Sequence, residues 1–468
     1  RCGNALRMDW NDLLPAEKCS YVFGNPPFVG KKARSASQQS DMEHVFANHA
    51  GCGVLDYVCC WYMKAGHFIS GKRIPCAFVS TNSISQGEQP GVLWPILWRR
   101  FGFKIHFAHR TFAWESEAQG AAHVHVIVVG FSNFDAAKKL IHDYEEGKNG
   151  PTISPATNIN PYLVDGNDCV LKSRPHTIAG APAMNFGSMP NDDGQLILDA
   201  DEKRELLSRA PRAAAFLRPL VSAKEYFSGA ERWCIWLKDV PIQQYRNLPG
   251  VKERIEAVRE YRLRSNRAAT KRLAERPFQF AEIRQPDSNF IVLPRHSSER
   301  RVYIPFSYFG PESIVHDSCL FIPNATPFHF GILTSAMHMA WVRQVCGRIK
   351  SDLRYSAKLV YNNFPWPVDV TDARRAKVEE CAQALLDVRQ KHLDGGQTLA
   401  DLYDPLYMPG DLLKAHRALD RAVDRCYRKE KFDSERERIE FLFRLYEQLT
   451  TPLAVSEEPK KRRARKRS

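Results

Sequence analysis

Hydrophobic and polar residues alternate in blocks over residues 1–135, where short apolar runs and longer amphipathic runs follow one another. Short runs bounded by glycine or proline are typical of buried strands, and longer runs are typical of helices. The predicted strands are 18–24, 73–81, 103–110 and 122–131, and the predicted helices are 55–70 and 91–101. This order predicts the second half of a doubly wound α/β sheet that closes with a hairpin.

The pattern changes after this region and predicts four further parts. Residues 136–195 are rich in Pro, Asn, Asp and Gly and indicate a connector. Residues 196–368 mix strand and helix patterns in an α+β domain, residues 369–450 are helical, and residues 451–468 form a basic, disordered tail. The expected elements are strands at 301–309 and 318–325, a helix at 329–347 that ends at Gly347, and helices at 372–393, 411–427 and 435–449.

The charge of the chain favours an acidic partner. The net charge is +14, and seven basic residues lie in the tail at 460–468. Residues 251–276 hold nine basic and four acidic residues, which indicates either a nucleic-acid surface or an ordinary solvated helix face. Nucleic acid is a better partner for this charge than a membrane surface, and no apolar run is long enough to span a bilayer.

The cysteines indicate the redox compartment of the protein, and the first residues indicate where in a domain the chain begins. Twelve cysteines are scattered without a C-x-x-C pair, which argues against zinc and against a disulfide framework and favours a reducing cytosol. No signal peptide opens the chain. Because it begins with Arg1 and reads as the middle of a domain, we expect an N-terminal part to be missing.

The stretch Asn25-Pro26-Pro27-Phe28 carries the candidate chemistry, because it directly follows a predicted buried strand. Ligands of parallel sheets bind outside the carboxyl ends of the strands. Proline lacks an N–H donor, so the loop offers carbonyl acceptors, and Asn25 adds a side-chain carbonyl beside the flat ring of Phe28. This set suits a flat heterocycle that bears an amino group, such as adenine. A structural turn with an aromatic plug is the alternative.

Methyl transfer to such an amino group is the reaction that these residues can support. Two hydrogen bonds accepted by Asn25 and the Pro26 carbonyl draw the nitrogen towards tetrahedral geometry and free its lone pair. The nitrogen can then attack a sulfonium methyl group in line, and positioning and electrostatics carry the step. A base in a duplex must first be flipped out, and Phe28 can stack on it.

The motif NPPF matches motif IV of adenine-specific, S-adenosylmethionine-dependent DNA methyltransferases. Together with "CAFVSTNSISQGEQ", "FLRPLVSAKEYFSG" and "GRIKSDLRYSAKLVYNNFPWP", it resembles the MmeI-like fused restriction–modification enzymes. In that group one polypeptide joins a nuclease, a methyltransferase and a target-recognition domain. The resemblance implies a class I, Rossmann-like methyltransferase sheet, a target-recognition domain, S-adenosyl-L-methionine as cofactor and double-stranded DNA as partner.

The resemblance also assigns roles to single residues. It implies that Asn25, Pro26, Pro27 and Phe28 are catalytic and that Asp9 binds the adenine amino group of the cofactor. An aspartate that caps the following helix is the alternative for Asp9. The family's glycine-rich cofactor loop and nuclease motif have no counterpart in this sequence and are expected upstream, which puts the activity of this chain alone in doubt.

A basic segment at 347–363 is the candidate DNA-binding surface. It interleaves four cations, Arg348, Lys350, Arg354 and Lys358, with Tyr355 and Tyr361. Such cations neutralise phosphates, and arginine also reads guanine edges. Family resemblance places target recognition in this region, while surface charge around an ordinary turn is the alternative.

Two sets of polar residues each allow two interpretations. His106, His109, His123 and His125 lie on two predicted strands, and polar packing in the hairpin is favoured there over a metal site. Residues 80–83, Ser-Thr-Asn-Ser, either line the adenine pocket or cap the next helix. We predict no metal. The alternatives to an adenine DNA methyltransferase are a non-catalytic DNA-binding specificity module and an RNA or protein methyltransferase that uses the same motif.

Overall fold

The computed structural model describes residues 2–47, 49–114, 124–144, 150–349 and 351–451. Most of the predicted loop at 111–121 lies outside the described residues, as do His123, Lys350 and the basic tail at 460–468. No helix within the described ranges is long and apolar enough to cross a membrane. All twelve cysteines are free thiols.

The first part of the chain forms a six-stranded mixed sheet with strand order β1-β2-β4-β3-β5-β6. Its strands are β1 (Val22–Gly24), β2 (Cys76–Thr81), β3 (Lys104–Trp114), β4 (Val124–Ser132), β5 (Lys139–Asp143) and β6 (Thr152–Ala156). Strands β1, β2, β3 and β5 run in one direction, and β4 and β6 run in the other. Three helices accompany the sheet, α1 (Ala36–Phe46), α2 (Cys59–Phe68) and α3 (Pro90–Phe101).

Buried aromatic rings hold these helices against the sheet. Tyr62 of α2 stacks on Phe131 of β4 with ring centroids 5.0 Å apart, and it meets Phe78 of β2 edge-on at 5.3 Å. Trp94 of α3 packs on Tyr62 at 6.2 Å. The helix α3 begins at Pro90 and contains Pro95 within it. This cluster fixes the strand ends relative to the helices that follow them.

The prediction of a connector at 136–195 is wrong in part, because β5 and β6 lie within this range and extend the sheet. Leu140 of β5 pairs in parallel with Phe107 of β3. Only Leu140 and Ile141 are apolar in this strand, so its pattern is too short to predict a strand from the sequence. Buried Ile159 and Tyr162 then carry the chain into the next part of the molecule.

Three smaller sheets follow, with strand orders β14-β9-β10-β8, β13-β11-β15-β7 and β12-β17-β16. Their strands are β7 (Asn185–Phe186), β8 (Ile197–Leu198), β9 (Leu217–Val221), β10 (Trp233–Ile235), β11 (Phe290–Pro294), β12 (His296–Ser297), β13 (Ser307–Phe309), β14 (Ile314–Val315), β15 (Cys319–Pro323), β16 (Gly347–Ile349) and β17 (Asp352–Arg354). The remaining described helices are α4 (Ala200–Arg209), α5 (Ala223–Ser228), α6 (Val251–Leu263), α7 (Ala268–Arg272), α8 (Pro327–Leu333), α9 (Ala336–Val345), α10 (Asp372–Asp394), α11 (Leu399–Leu402), α12 (Gly410–Tyr427) and α13 (Glu435–Thr450).

Two predicted elements differ from the structure. The helix predicted at 329–347 is two helices, α8 and α9, because the Ser335 hydroxyl accepts the backbone N–H of His338 and starts a new helix. That helix ends at Val345, and Gly347 begins β16 instead of ending a helix. The strand predicted at 301–309 is shortened to β13.

The helices α8 to α13 share one hydrophobic core with the sheet around β11 and β15. Trp341 of α9 lies 5.4 Å from Phe443 and 6.1 Å from Tyr446, both on α13. At Gly331 of α8, an added Cβ would lie 2.6 Å from a methyl group of Val378 on α10. Close packing therefore joins the α+β part and the helical end of the chain.

A buried carboxyl lies within this core. Asp420 of α12 accepts hydrogen bonds from the Tyr303 hydroxyl at 2.6 Å and from the Ala336 backbone N–H at 2.7 Å. Burial raises the pKa of Asp420 to about 6, although the two hydrogen bonds and the nearby Arg438 favour the charged form. The folded state therefore holds this proton more tightly than the unfolded chain does.

We expect Asp420→Asn to remove a pH-dependent part of the unfolding free energy. The unfolded carboxyl ionises near its usual pKa of 3.8 and the folded one near 6, so the folded state loses stability as the pH rises between these values. Two pKa units correspond to about 3 kcal/mol. Urea unfolding of wild type and variant across this window measures the difference, with exposed Asp433→Asn as the control. Parallel wild-type and Asp420→Asn profiles would contradict the expectation.

Candidate functional site

The Asn-Pro-Pro-Phe motif forms the loop that leaves β1 at the carboxyl edge of the sheet. Strand β1 pairs in parallel with β2, so the segments after both strands leave at the same edge. Asn25 and Pro27 are exposed, Pro26 is buried and Phe28 is half-buried. The side-chain amide of Asn25 is thus accessible, while Pro26 anchors the loop below it.

Hydrogen bonds hold the end of this loop to its neighbours. The Val29 carbonyl accepts the backbone N–H of Tyr57 at 2.9 Å. Next to it, Asp56 accepts the Thr81 hydroxyl at 2.9 Å and donates its backbone N–H to the Gln89 side chain at 3.0 Å. The loop after β1 and the segment after β2 are therefore connected through residues 56 and 57.

A cavity of about 560 Å³ borders the first three residues of the motif. Its lining includes Asp9 and residues 21–27, so it contains Asn25 but not Phe28. Six aromatic rings contribute to its walls, from Trp10, Tyr21, Phe23, Trp61, Phe68 and Phe78. Trp10 and Phe68 meet edge-on with centroids 5.6 Å apart. The cavity thus combines flat apolar walls with one carboxylate and one amide.

Asp9 is both a helix cap and part of the cavity wall. It is the N-cap of a short 3-10 helix at Trp10–Asp12, where its Oδ1 accepts the Asn11 backbone N–H at 2.9 Å and side-chain amide at 3.1 Å. These two bonds lower the pKa of Asp9, so the carboxylate is ionised at neutral pH. Its Oδ2 has no hydrogen-bond donor among the described residues.

Asp41 of α1 fixes the segment that carries Asp9. It accepts hydrogen bonds from Arg7 at 2.6 Å, Tyr57 at 2.7 Å and Asn4 at 2.8 Å. Burial alone would raise the pKa of Asp41, but these three bonds together hold the pKa below its usual value. Because Tyr57 also holds the Val29 carbonyl, the cavity wall and the Asn-Pro-Pro-Phe loop share one support.

The polar residues 80–83 do not line this cavity, and a place beside a target adenine stays a prediction for them. Ser80 is buried and bonds the Tyr62 hydroxyl at 2.9 Å, and Thr81 bonds Asp56. Thr81 precedes the short helix Asn82–Ile84 but makes no side-chain cap bond. The Asn82 amide nitrogen is buried and has no partner in the described part of the chain. These residues support the loop 82–89 rather than lining the cavity.

His106 and His109, which the sequence places in one group of histidines, have different partners in the structure. His106 bonds the Phe134 carbonyl at 2.8 Å, whereas His109 stacks on His142 with centroids 4.1 Å apart and bonds the Tyr144 hydroxyl at 2.7 Å. Burial and the neighbouring His142 lower the pKa of His109. Among the described residues, no group of three or more His, Cys, Asp or Glu side chains could hold a metal ion.

The basic segment separates into exposed and engaged side chains. Arg354 on β17 and Lys358 are exposed, whereas the Arg348 side chain is only 13% exposed and pairs with Glu299 at 2.8 Å. The prediction that Tyr355 and Tyr361 lie between the cations on a DNA-binding surface is wrong, because both tyrosines are buried in the core. Tyrosine hydroxyls need partners when buried, and Tyr355 bonds His338 at 2.8 Å.

Sequence patterns did not identify the junction between the large sheet and the basic hairpin. Gln86, in the loop after β2, bonds Arg348 at 3.0 Å and the Arg343 carbonyl at 3.1 Å. Glu299 also lies 3.8 Å from His125 of β4. Isolated Gln and Glu residues in loops carry no periodic signal, and the same holds for the wall residue Trp10 in its short 3-10 helix.

Comparison with protein families divides the chain into three parts. Residues 1–143 match the family profile described as MmeI, DNA-methyltransferase domain. Residues 165–368 match MmeI, target recognition domain, and residues 370–454 match MmeI, C-terminal domain. The three matches follow one another along the chain and cover most of it.

Individual relatives agree with these matches. DNA methyltransferase A of Bacillus subtilis (strain 168) is 37% identical over 452 residues, which is 96% of this chain and 50% of that protein. The type IIL restriction-modification enzyme MmeI, solved in complex with DNA, is 42% identical with a TM-score of 0.84, over 96% of this chain and 60% of that one. The chain thus spans about half the length of the curated relative it matches. With its methyltransferase, target-recognition and C-terminal domains in this order, the chain belongs to the MmeI-like family of fused restriction–modification enzymes.

Proposed function

We propose that this chain is the target-base and recognition part of an enzyme that transfers a methyl group from S-adenosyl-L-methionine to the exocyclic amino group of a flipped adenine in double-stranded DNA. The observation that carries the proposal is the position of Asn25. It is exposed in a loop that hydrogen bonds hold at the carboxyl edge of the sheet, beside an aromatic cavity. Membership of a family with a DNA-methyltransferase domain supports the reaction class. The acceptor base, the cofactor and the site residues are our own inference.

The cavity fits the nucleoside part of S-adenosylmethionine. Rings such as Trp10 and Phe68 suit a flat adenine, and the ionised Asp9 carboxylate keeps one oxygen to accept an N–H or O–H donor. When bound, the cofactor supplies a methyl group on a positively charged sulfur. Asp9 would hold the nucleoside, and the support from Asp41 would keep Asp9 in place.

Asn25 and Pro26 would activate the target nitrogen. The Asn25 side-chain carbonyl and the Pro26 backbone carbonyl each accept one N–H of the adenine amino group. These bonds favour a tetrahedral nitrogen with an available lone pair, and they strengthen as positive charge develops there. The methylated nitrogen then releases one proton to solvent. The residues need no metal for these steps, since they act through position and hydrogen bonding.

Pro27 and Phe28 would shape the pocket of the extruded base. Prolines at 26 and 27 keep competing backbone donors out of the loop, because proline has no N–H. The half-buried ring of Phe28 presents an apolar face on which a flipped base can stack. Stacking offsets part of the free energy lost when the base leaves the duplex.

The basic hairpin β16–β17 and the following turn would contact DNA. Arg354 and Lys358 are exposed cations on the part of the chain that matches a target-recognition domain. Arginine can read a guanine edge, and lysine can neutralise a phosphate. Lys350 belongs to the same proposed surface, and its role stays a prediction.

The complete gene product would act as a restriction–modification enzyme in the bacterial cytoplasm. Its relative MmeI is described as a restriction-modification enzyme in complex with DNA, and free thiols throughout the chain fit a reducing compartment. A specificity module without catalysis would bind the same DNA but transfer no methyl group. An RNA or protein methyltransferase would leave DNA unmodified, so assays on the three substrate classes separate these alternatives.

We expect Asn25→Ala, in the protein as its gene encodes it, to abolish methyl transfer with DNA binding nearly intact. The variant loses a contact that acts on the developing charge, which costs about 3–4 kcal/mol. Asn25→Asp keeps two acceptor oxygens and should retain part of the activity. Tritiated methyl transfer and gel shifts measure both effects, with exposed Asn247→Ala as the control. Near wild-type methylation by Asn25→Ala would refute its role.

Arg354→Ala and Lys358→Ala should give different defects in DNA recognition. Loss of a base-reading arginine relaxes the methylated motif at one position, at a cost of about 1–3 kcal/mol. Loss of a phosphate-binding lysine weakens binding to all sequences and lowers the salt slope by about one unit. Genome-wide mapping of methylated sites and salt titrations measure these effects, with Arg204→Ala on α4 as an exposed control. If both variants keep the wild-type methylated motif and the wild-type salt slope of DNA binding, the recognition surface lies elsewhere.

A further inference from the structure

The hairpin β16–β17 rests directly on the loop 82–89 that leaves the large sheet. The Gly87 backbone N–H donates to the Val345 carbonyl at 3.1 Å, and the Gln86 amide donates to the Arg343 carbonyl at 3.1 Å. A Cβ on Gly87 would lie 3.1 Å from the Cα of Gly347, and Gly87 has a φ of +69°. The two backbones therefore approach too closely for a side chain at this position.

Arg348 ties three segments together at this contact. Its Nε donates to Gln86 at 3.0 Å, and its Nη1 donates to Glu299 at 2.8 Å and to the Ser351 carbonyl at 3.1 Å. Glu299 also faces His125 of β4. The guanidinium thus joins the large sheet, the loop that carries Glu299 and the hairpin itself.

The engaged donors argue against a direct reading role for Arg348. A guanine edge takes two parallel bonds, either from Nη1 and Nη2 or from Nε and Nη2. Both N–H groups of Nη1 and the single N–H of Nε already have partners within the protein. Either fork would therefore have to break an internal bond and leave Glu299 or Gln86 without its donor.

A hydrogen-bonded route leads from this contact to the Asn-Pro-Pro-Phe loop. The loop 82–89 ends at Gln89, whose side-chain carbonyl accepts the backbone N–H of Asp56 at 3.0 Å. The adjacent Tyr57 N–H binds the Val29 carbonyl, which follows the Asn-Pro-Pro-Phe motif directly. Hydrogen bonds thus connect the hairpin, through the loop 82–89 and residues 56 and 57, with Val29 at the end of the Asn-Pro-Pro-Phe loop.

We propose that Arg348 is a positioning residue that docks the recognition hairpin on the loop 82–89 and thereby aligns Asn25 with the target base. This inference rests on the proposed function for its effect on methyl transfer. It replaces the earlier prediction that Arg348 itself contacts DNA. A planar fork with five donors can hold Gln86, Glu299 and Ser351 at once, whereas a lysine ammonium lacks that fixed geometry.

The test compares Arg348→Ala, Arg348→Lys and Glu299→Gln in the protein as its gene encodes it. At saturating cognate DNA, Arg348→Ala should lower the single-turnover rate of methyl transfer about 10- to 100-fold, because a misplaced reacting group loses alignment. Arg348→Lys should recover part of this rate. The methylated motif, the DNA affinity and its salt slope should stay as in wild type. The double variant Arg348→Ala/Glu299→Gln should be no slower than Arg348→Ala alone.

Arg438→Ala is the matched control for general destabilisation. It breaks the 2.6 Å ion pair with Asp424, and its side chain is 15% exposed against 13% for Arg348. Both variants should lower the melting temperature, but Arg438→Ala should keep the wild-type methylation rate below that temperature. An equal loss of rate in Arg438→Ala would overturn the positioning role, because the effect of Arg348 would then be loss of stability.

Hydrogen exchange without DNA tests the docking contact separately from the reaction. Arg348→Ala should speed amide exchange at Gly87 and Tyr57, whereas Arg438→Ala should speed it only in the C-terminal helices. Unchanged exchange at Gly87 would overturn the proposal. A relaxed motif would instead identify Arg348 as a base reader, and a lower salt slope would identify a phosphate contact. If wild type methylates no DNA, the proposed function fails while the exchange result still decides the docking.

Discussion

The parallel pairing of β1 with β2 is the constraint on which the rest of the candidate site depends. Two parallel neighbours end at the same edge of a sheet, so the Asn-Pro-Pro-Phe loop and the loop 82–89 emerge side by side. The first loop carries Asn25, and the second contacts Val345 at the end of α9 and Arg348 of the hairpin β16–β17. Only three residues of β1 take part in this pairing, and the hydrogen bonds of residues 56 and 57 complete the alignment.

Much of the large sheet and the fold class could be predicted from the sequence, and the family and structure comparisons confirm the fold class. The strands β2 and β4 and the helix α2 bury continuous apolar runs, which leave a strong local signal. The Asn-Pro-Pro-Phe motif stands out in the sequence because two prolines directly follow a predicted strand, and its catalytic role stays a prediction. Its position beside a cavity follows from the parallel pairing.

The remaining features depend on residues that are distant in the sequence. The local sequence around Arg348 predicts an exposed cation, but its partners Glu299 and Gln86 lie 49 and 262 residues away along the chain. Tyr355 reads as an aromatic beside basic residues, but His338 and the surrounding core give it a buried partner. At the start of α9, Asp420 accepts the backbone N–H of Ala336, which is 84 residues away, in addition to the local cap by Ser335. A local pattern contains none of these distant partners.

The core shared by the α+β part and the C-terminal helices limits how such an enzyme can acquire a new target sequence. Trp341 packs against Phe443, and the missing side chain of Gly331 lets α8 approach α10. Recombination between residues 368 and 369 would have to match two halves of one apolar interface, and most pairings would leave cavities or clashes. Under the proposed function, new specificities in this architecture would therefore arise more readily by single substitutions at exposed positions of the α+β part, or by inheritance of both parts as one block.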